Sequence, residues 1–265
     1  MLSPAPRNVF ARPPRLPLLA WPPPPLVDQE RRLIVVWSPK SACTAVYVWF
    51  ASVCDFLDEV EEYGSPHRHR MEVFRRSQRY FDSRDCDSSG FIVIRIIRDP
   101  YIRTASIFRE AFAGDYADRD AARFGLDFGR GISFEQFLSL VESLDMTVAD
   151  THFRPQFHPF EHEREPDVTI NVSRQELFSE LNHLEQRMRW PRTNFASLGW
   201  FHAFEKSRHP VPDQAVADAY NAVIARGSPP ENTPFPKYES LLVPEARKRI
   251  ETIYRADFEA YGEYL

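Results

Sequence analysis

Leu33-Ile34-Val35-Val36-Trp37-Ser38-Pro39-Lys40-Ser41-Ala42-Cys43-Thr44 is the stretch that decides the fold. Leu33 to Trp37 is a short, unbroken apolar run, the pattern of a strand buried on both faces. Ser38 to Ser41 reads as a turn. From Cys43 to Leu57 apolar residues recur at helical spacing (Val46, Val48, Trp49, Val53, Phe56). This is strand–loop–helix, one half of a parallel α/β unit. A loop of small residues between a buried strand and a helix start suits a phosphate, because first-turn amides point outward and the helix dipole favours negative charge. Lys40 adds a point charge, Ser41 and Thr44 add hydroxyls, and Ala42 and Cys43 stand at the helix start. The glycines and the Gly-Lys-Ser/Thr order of a Walker loop are missing, which disfavours a magnesium-dependent ATPase. A tight turn with a Ser/Thr cap is the plain alternative.

Phe91 to Ile97 is a second buried-strand candidate, and it runs into Arg98-Asp99-Pro100-Tyr101-Ile102-Arg103-Thr104-Ala105-Ser106. A helix is expected from Tyr101 to Phe112. Arg98 falls at the C-terminal end of its strand, where α/β proteins place ligands. Its guanidinium and the Ser106 hydroxyl, two turns into the helix, can converge on one phosphate. The plain alternative is a local Arg98–Asp99 ion pair, with Pro100 starting the helix.

Outward from these motifs, the periodicity predicts a helix near Met71 to Tyr80 and one over 133–144 capped by Ser133. It predicts a third strand at Val168 to Val172, then a helix through Gln186 with Ser173 and Glu176 in a capping-box pattern. Further helices are expected over Pro212 to Ala225 and Pro244 to Tyr261. The fold class is therefore α/β: a P-loop-like nucleotide fold with a central, mostly parallel sheet flanked by helices. Residues 1–25 hold nine of the 23 prolines. Residues 1–30 accordingly read as a proline-rich N-terminal arm, and 31–265 as a single domain.

Composition narrows the class. The chain has 265 residues, 43% hydrophobic and 27% charged, with a formal net charge of −5. That is ordinary for a folded soluble protein and excludes a globally basic nucleic-acid binder as the default. The three cysteines, Cys43, Cys54 and Cys86, match no zinc spacing or disulfide framework, so no metal is expected and a reducing, cytoplasmic setting fits. There is no apolar run of ~18 residues, hence no membrane span.

The two phosphate motifs together resemble the sulfotransferases that use 3′-phosphoadenosine 5′-phosphosulfate (PAPS). The resemblance implies that the first loop holds the 5′-phosphosulfate and that Arg98 and Ser106 hold the 3′-phosphate. Lys40-Ser41-Ala42-Cys43-Thr44 is similar to the PK-x-x-CT form of the carbohydrate sulfotransferases. Ile132 to Phe137 and Asp150-Thr151-His152-Phe153-Arg154-Pro155-Gln156 resemble a further stretch of the Golgi-type members, and Ile253 to Tyr261 their closing helix. Phe153 replaces that stretch's Trp, and the Cys pairs and membrane anchor of secreted members are missing. These departures imply a cytoplasmic, bacterial-type relative. The likeness spans roughly residues 31–265.

The resemblance implies transfer of a sulfuryl group from PAPS, leaving PAP, to a hydroxyl of a small-molecule or glycan acceptor. Lys40 is expected to stabilise the leaving charge. For the base, Pro66-His67-Arg68-His69 lies where hexuronic 2-O-sulfotransferases carry an H-x-H, and on a strand both imidazoles would share a face. His69 is ranked first, His152 second, and His67 as support. His158, Glu161, His162 and Glu163 read as a solvated loop. A late loop, 227–238, is expected to reach the 3′-phosphate through Thr233 and Lys237. Two competitors remain: a PAP-binding protein without activity, and a kinase-like phosphotransferase.

Overall fold

The computed structural model describes residues 18–83, 87–174, 176–198, 218–226 and 235–265. In chain order the strands are β1 (Leu26–Asp28), β2 (Leu33–Val36), β3 (Ile92–Ile97) and β4 (Val168–Asn171). The helices are α1 (Cys43–Val53), α2 (Leu57–Tyr63), α3 (Pro66–Glu72), α4 (Gln78–Ser83), α5 (Pro100–Ala113), α6 (Asp118–Arg123), α7 (Phe134–Ser143), α8 (Leu177–Met188), α9 (Tyr238–Leu241), α10 (Pro244–Ile253) and α11 (Arg255–Tyr261). The chain divides into two compact units. A sheet unit draws on 12–98, 156–208 and 264–265, and a helical unit on 99–155 and 209–263.

In the sheet unit the strand order is β1-β2-β3-β4. β2, β3 and β4 run parallel, with Val35 opposite Ile94 and Ile94 opposite Val168. β1 adds antiparallel, Leu26 against Val35. The unbroken apolar strands are explained by two covered faces. Leu33, Val35, Ile94 and Ile96 pack with α1, while Ile34, Val36 and Val93 pack with Leu19, Val27, Phe91 and Phe160. α1 is buried almost all round, as expected of a core helix rather than a surface one.

That second face corrects the expectation of an arm over 1–30. From Leu18 onward the chain belongs to the fold: Leu19 and Val27 cover the sheet, and Pro24 O accepts from Trp37 Nε1 at 3.1 Å. Proline content signalled a missing amide donor, and the sheet's second face supplied the reason to pack. The helix expected over Cys43 to Leu57 stops at Val53, because Asp55 takes a left-handed conformation (φ 59°) and restarts the chain as α2. The helix expected near Met71 to Tyr80 is likewise interrupted. Ser77 is extended, donates its hydroxyl to Phe74 O and accepts from Tyr80 N, which begins α4.

The Ser173 capping box does not form. Asn171 Oδ1 takes the Ser173 amide at 2.9 Å in an Asx turn, and α8 begins only at Leu177. Within the helical unit Ser133 and Gln136 do form a reciprocal capping box at the start of α7. Phe108, Phe134, Phe137 and Phe153 make that unit's aromatic core. The helix expected over Pro244 to Tyr261 breaks at the buried Tyr254 into α10 and α11. Of the helix expected over Pro212 to Ala225, residues 212–217 lie outside the described residues. Residues 218–226 form a turn and a bridge, Ile224 to Ile132. Gly131 beside that bridge has φ 107°, and a Cβ there would meet Val223 Cγ1 at 2.5 Å.

Candidate functional site

The loop after β2 is a cradle held by two left-handed residues. Lys40 has φ 67°, and Ala42, preceding α1, has φ 57° and ψ 29°. Ser41 N turns back to Ser38 O at 3.2 Å, and Val46 N to Ala42 O at 3.0 Å closes the first turn of α1. The earlier first-turn amides have no partner within a helix by construction, and no acidic side chain stands in that turn. α1 therefore presents amides and a positive dipole end beside Lys40, an arrangement suited to an oxyanion.

One buried side chain fixes this cradle to the end of β3. Gln156, 2% exposed, accepts through Oε1 from the Ser41 hydroxyl at 2.9 Å, the Ser38 hydroxyl at 3.3 Å and Arg98 N at 2.9 Å. Its Nε2 donates to Arg98 O at 2.8 Å. Arg98 Nη1 in turn donates to Lys40 O at 3.0 Å. The wholly buried Arg95 donates to Gln156 O and faces Glu161 at 3.6 Å. Lys40, Ser41 and Arg98 are thus brought together as expected, but the Ser41 hydroxyl points inward to Gln156. Gln156 itself escaped sequence reasoning. Its signal was present in the Pro155-Gln156 pair, since an amide can accept and donate at once where two loops meet.

Beyond Arg98, Asp99 caps α5 by accepting from Tyr101 N at 2.8 Å and Ile102 N at 3.2 Å. Ser106 lies two turns into α5 in the helical unit and is 5% exposed. Arg103 on the same helix is buried and donates to the carbonyls of His152 (3.1 Å) and Arg154 (3.0 Å). Arg154 Nε closes the same loop onto Ala149 O at 2.8 Å.

The braced loop carries His152. Its Nδ1 lies 2.7 Å from Asp150 Oδ1, and its ring stacks on Tyr116 with centroids 4.2 Å apart. Because a carboxylate only accepts, Nδ1 carries a proton in this contact. Burial pushes the Asp150 carboxyl upward, but the two hydrogen bonds from His152 outweigh it and hold the group below its usual range.

His69 and His67 contradict the expected strand. They lie in α3, where residues two apart point to different sides: His67 is exposed and His69 is buried. His69 Nδ1 is 2.8 Å from Tyr47 OH, among Phe56 and Tyr63, and burial lowers its pKa. His158 and Glu161 also contradict the solvated loop expected of them. Both are buried and form a reciprocal cap on a short 3-10 turn, and His158 Nε2 lies 3.1 Å from Trp21 O. Burial depresses the His158 pKa to about 3, so it is neutral. Cys43 packs against the core of the sheet unit, and Thr44 is half-buried at the start of α1. Lys237 is exposed just before α9 in the helical unit, while Thr233 and Cys86 lie outside the described residues. Among the described residues no cluster of metal-ligating side chains occurs, and no helix is long and apolar enough to cross a membrane.

Fold and cradle together make an α/β protein with a loop suited to an oxyanion at the end of a parallel strand. The Sulfotransferase family model matches residues 25–264, nearly the whole chain, and the protein belongs to that family. Family membership supports a sulfuryl transferase. Neither a curated protein nor a solved structure gives a significant match.

Proposed function

We propose that this protein transfers the sulfuryl group of PAPS to a hydroxyl of a carbohydrate or glycoconjugate. The observation that carries the reading is the Gln156 brace, which ties the amide-rich start of α1 and Lys40 to Arg98. In this reading the 5′-phosphosulfate sits on the first-turn amides and Lys40. Arg98 and Ser106 take the 3′-phosphate, and Thr233 and Lys237 stay candidates for further contacts to it. A P-loop-like cradle without a Walker sequence fits a donor that needs no magnesium.

His152 is the base that the geometry favours over His69. Its Nε2 takes the proton of the acceptor hydroxyl as the acceptor oxygen bonds to sulfur. The sulfur–oxygen bond to the 5′-phosphate breaks at the same time, and PAP leaves with the charge that Lys40 stabilises. Asp150 fixes the imidazole tautomer and steadies the imidazolium that forms. Buried His69 has the lowered basicity and the closed surroundings of a core group.

Transfer of labelled sulfate from PAPS to a panel of sugar acceptors tests the reading, alongside calorimetric titration with PAP, ATP and GTP. Tight PAP binding with labelled product supports it. PAP binding with no product on any acceptor favours a protein that only binds the nucleotide. Preference for magnesium-ATP favours a kinase-like phosphotransferase.

A further inference from the structure

Arg103 on α5 is 1% exposed. Burying a guanidinium is costly unless its protons are used, so its contacts tell what the charge is kept for. One nitrogen, Nη2, donates to two carbonyls, His152 O at 3.1 Å and Arg154 O at 3.0 Å. Residues 149–155 form neither helix nor strand, and carbonyls in such a segment have no ladder to satisfy them. Between the two carbonyls the Phe153 ring is wholly buried, against Tyr116 and Phe137. Residues 152–154 are thus gripped at both outer carbonyls and at the ring between them.

The imidazole of His152 has a second support, and it too comes from α5. The ring stacks on Tyr116 with centroids 4.2 Å apart, and Tyr116 OH donates to Ile107 O at 2.8 Å. Arg103 and Ile107 stand one turn apart on the same helix. Arg103 fixes the backbone of His152, Ile107 anchors the ring its side chain lies on, and Asp150 holds its Nδ1. We propose that Arg103 is a positioning residue for His152, which makes α5 the common support of the base and of Ser106. The assignment rests on the reading of His152 as the base. It deepens that reading, because a hydroxyl for the nucleotide and the base for the acceptor keep one spacing when one helix carries both. Arg103 touches no reacting atom. It keeps the imidazole edge aimed, and a misplacement of about 1 Å in such a group costs about 10²-fold in rate.

Magnetic resonance of isotope-labelled histidine and steady-state kinetics, both on the full chain, make the test. The Nδ1 proton that Asp150 accepts should give a resonance, identified by its loss in His152→Ala. Arg103→Met should broaden or abolish that resonance and lower kcat about 10²-fold on whichever sugar of the panel accepts labelled sulfate. Acceptor KM and calorimetric PAP affinity should be unchanged. Arg103→Lys keeps the charge without the planar fork and should recover part of both losses. Melting temperature reports whether Arg103→Met folds; should it not, Arg103→Lys and Tyr116→Phe carry the comparison, each expected to weaken the resonance and kcat but not PAP binding. A resonance unchanged in Arg103→Met overturns the proposal, as does its absence from wild type or an unchanged kcat. PAP affinity falling in step with kcat overturns it too, by making Arg103 a prop for α5 alone. An active His152→Ala sinks the base reading instead, and no transfer by wild type to any sugar sinks the transferase reading; in either case the resonance still decides whether Arg103 sets the imidazole.

Discussion

His69 and His152 are the same side chain in opposite surroundings. His69 faces Tyr47, Phe56 and Tyr63 inside the sheet unit, and its ring is hydrogen-bonded to the Tyr47 hydroxyl. His152 holds Asp150 with one nitrogen, lies flat on Tyr116, and keeps roughly a third of its side chain exposed. Burial makes the first a poor base and a good packing group. A carboxylate partner and an accessible edge suit the second to the base's role in the proposed reading. What sets His152, the base of the proposed reading, apart from His69 is its neighbours, which the local sequence of either motif describes poorly.

The comparison breaks most sharply by mutation. His152→Ala should lose ~10²–10⁴-fold in turnover with PAP affinity unchanged, the ordinary consequence of removing a general base. His69→Ala should keep turnover per folded molecule and lose about 1–3 kcal/mol of stability, because the Tyr47 hydroxyl is left buried without a partner. Steady-state rates and denaturant melts on both variants read these effects. An inactive, fully stable His69→Ala beside an active His152→Ala would reverse the assignment.

Asp150→Asn sharpens the same contrast. It leaves the shape of the loop but no longer dictates which imidazole nitrogen carries the proton, so turnover should fall by on the order of 10²-fold. Gln156→Ala should have a smaller effect: about 1–3 kcal/mol of PAP affinity and stability, as Ser41 and the Arg98 backbone lose their shared partner. Equal PAP affinity would mean that the cradle holds its shape without the brace.

His158 gives the smallest effect and an internal control. Burial lowers its pKa from 6.5 in the unfolded chain to about 3 in the folded one. The unfolded chain therefore binds the extra proton first as pH drops. Stability from this site is complete above about 6.5 and is lost as pH falls toward 3. His158→Gln should show a shallower decline in melting temperature across that window. An identical decline would assign the acid sensitivity to other groups.

The fold was legible where one pattern governs one element. The strands at Leu33, Phe91 and Val168 announced themselves by apolar runs, and α5 and α7 by periodicity and caps. Errors arose where a short-range side chain intercepted the backbone, as Asn171 did at Ser173 and Ser77 did between α3 and α4. The cradle and Arg98 were legible because a strand end and a helix start adjoin them in sequence. Gln156 was not, since its partners Ser41 and Arg98 are far along the chain. The shared face expected of His67 and His69 failed because an H-x-H aligns its imidazoles only on a strand, and Pro66 after Ser65 instead starts a helix.

Calorimetric titration of PAP into wild type and Arg98→Ala tests the central claim most directly. The account predicts that wild type binds PAP in preference to AMP and ATP. Arg98→Ala should bind PAP at least ~2 kcal/mol more weakly, because a charge-assisted contact to phosphate is removed. Equal PAP affinity in the two proteins, or no preference for PAP in wild type, would contradict it.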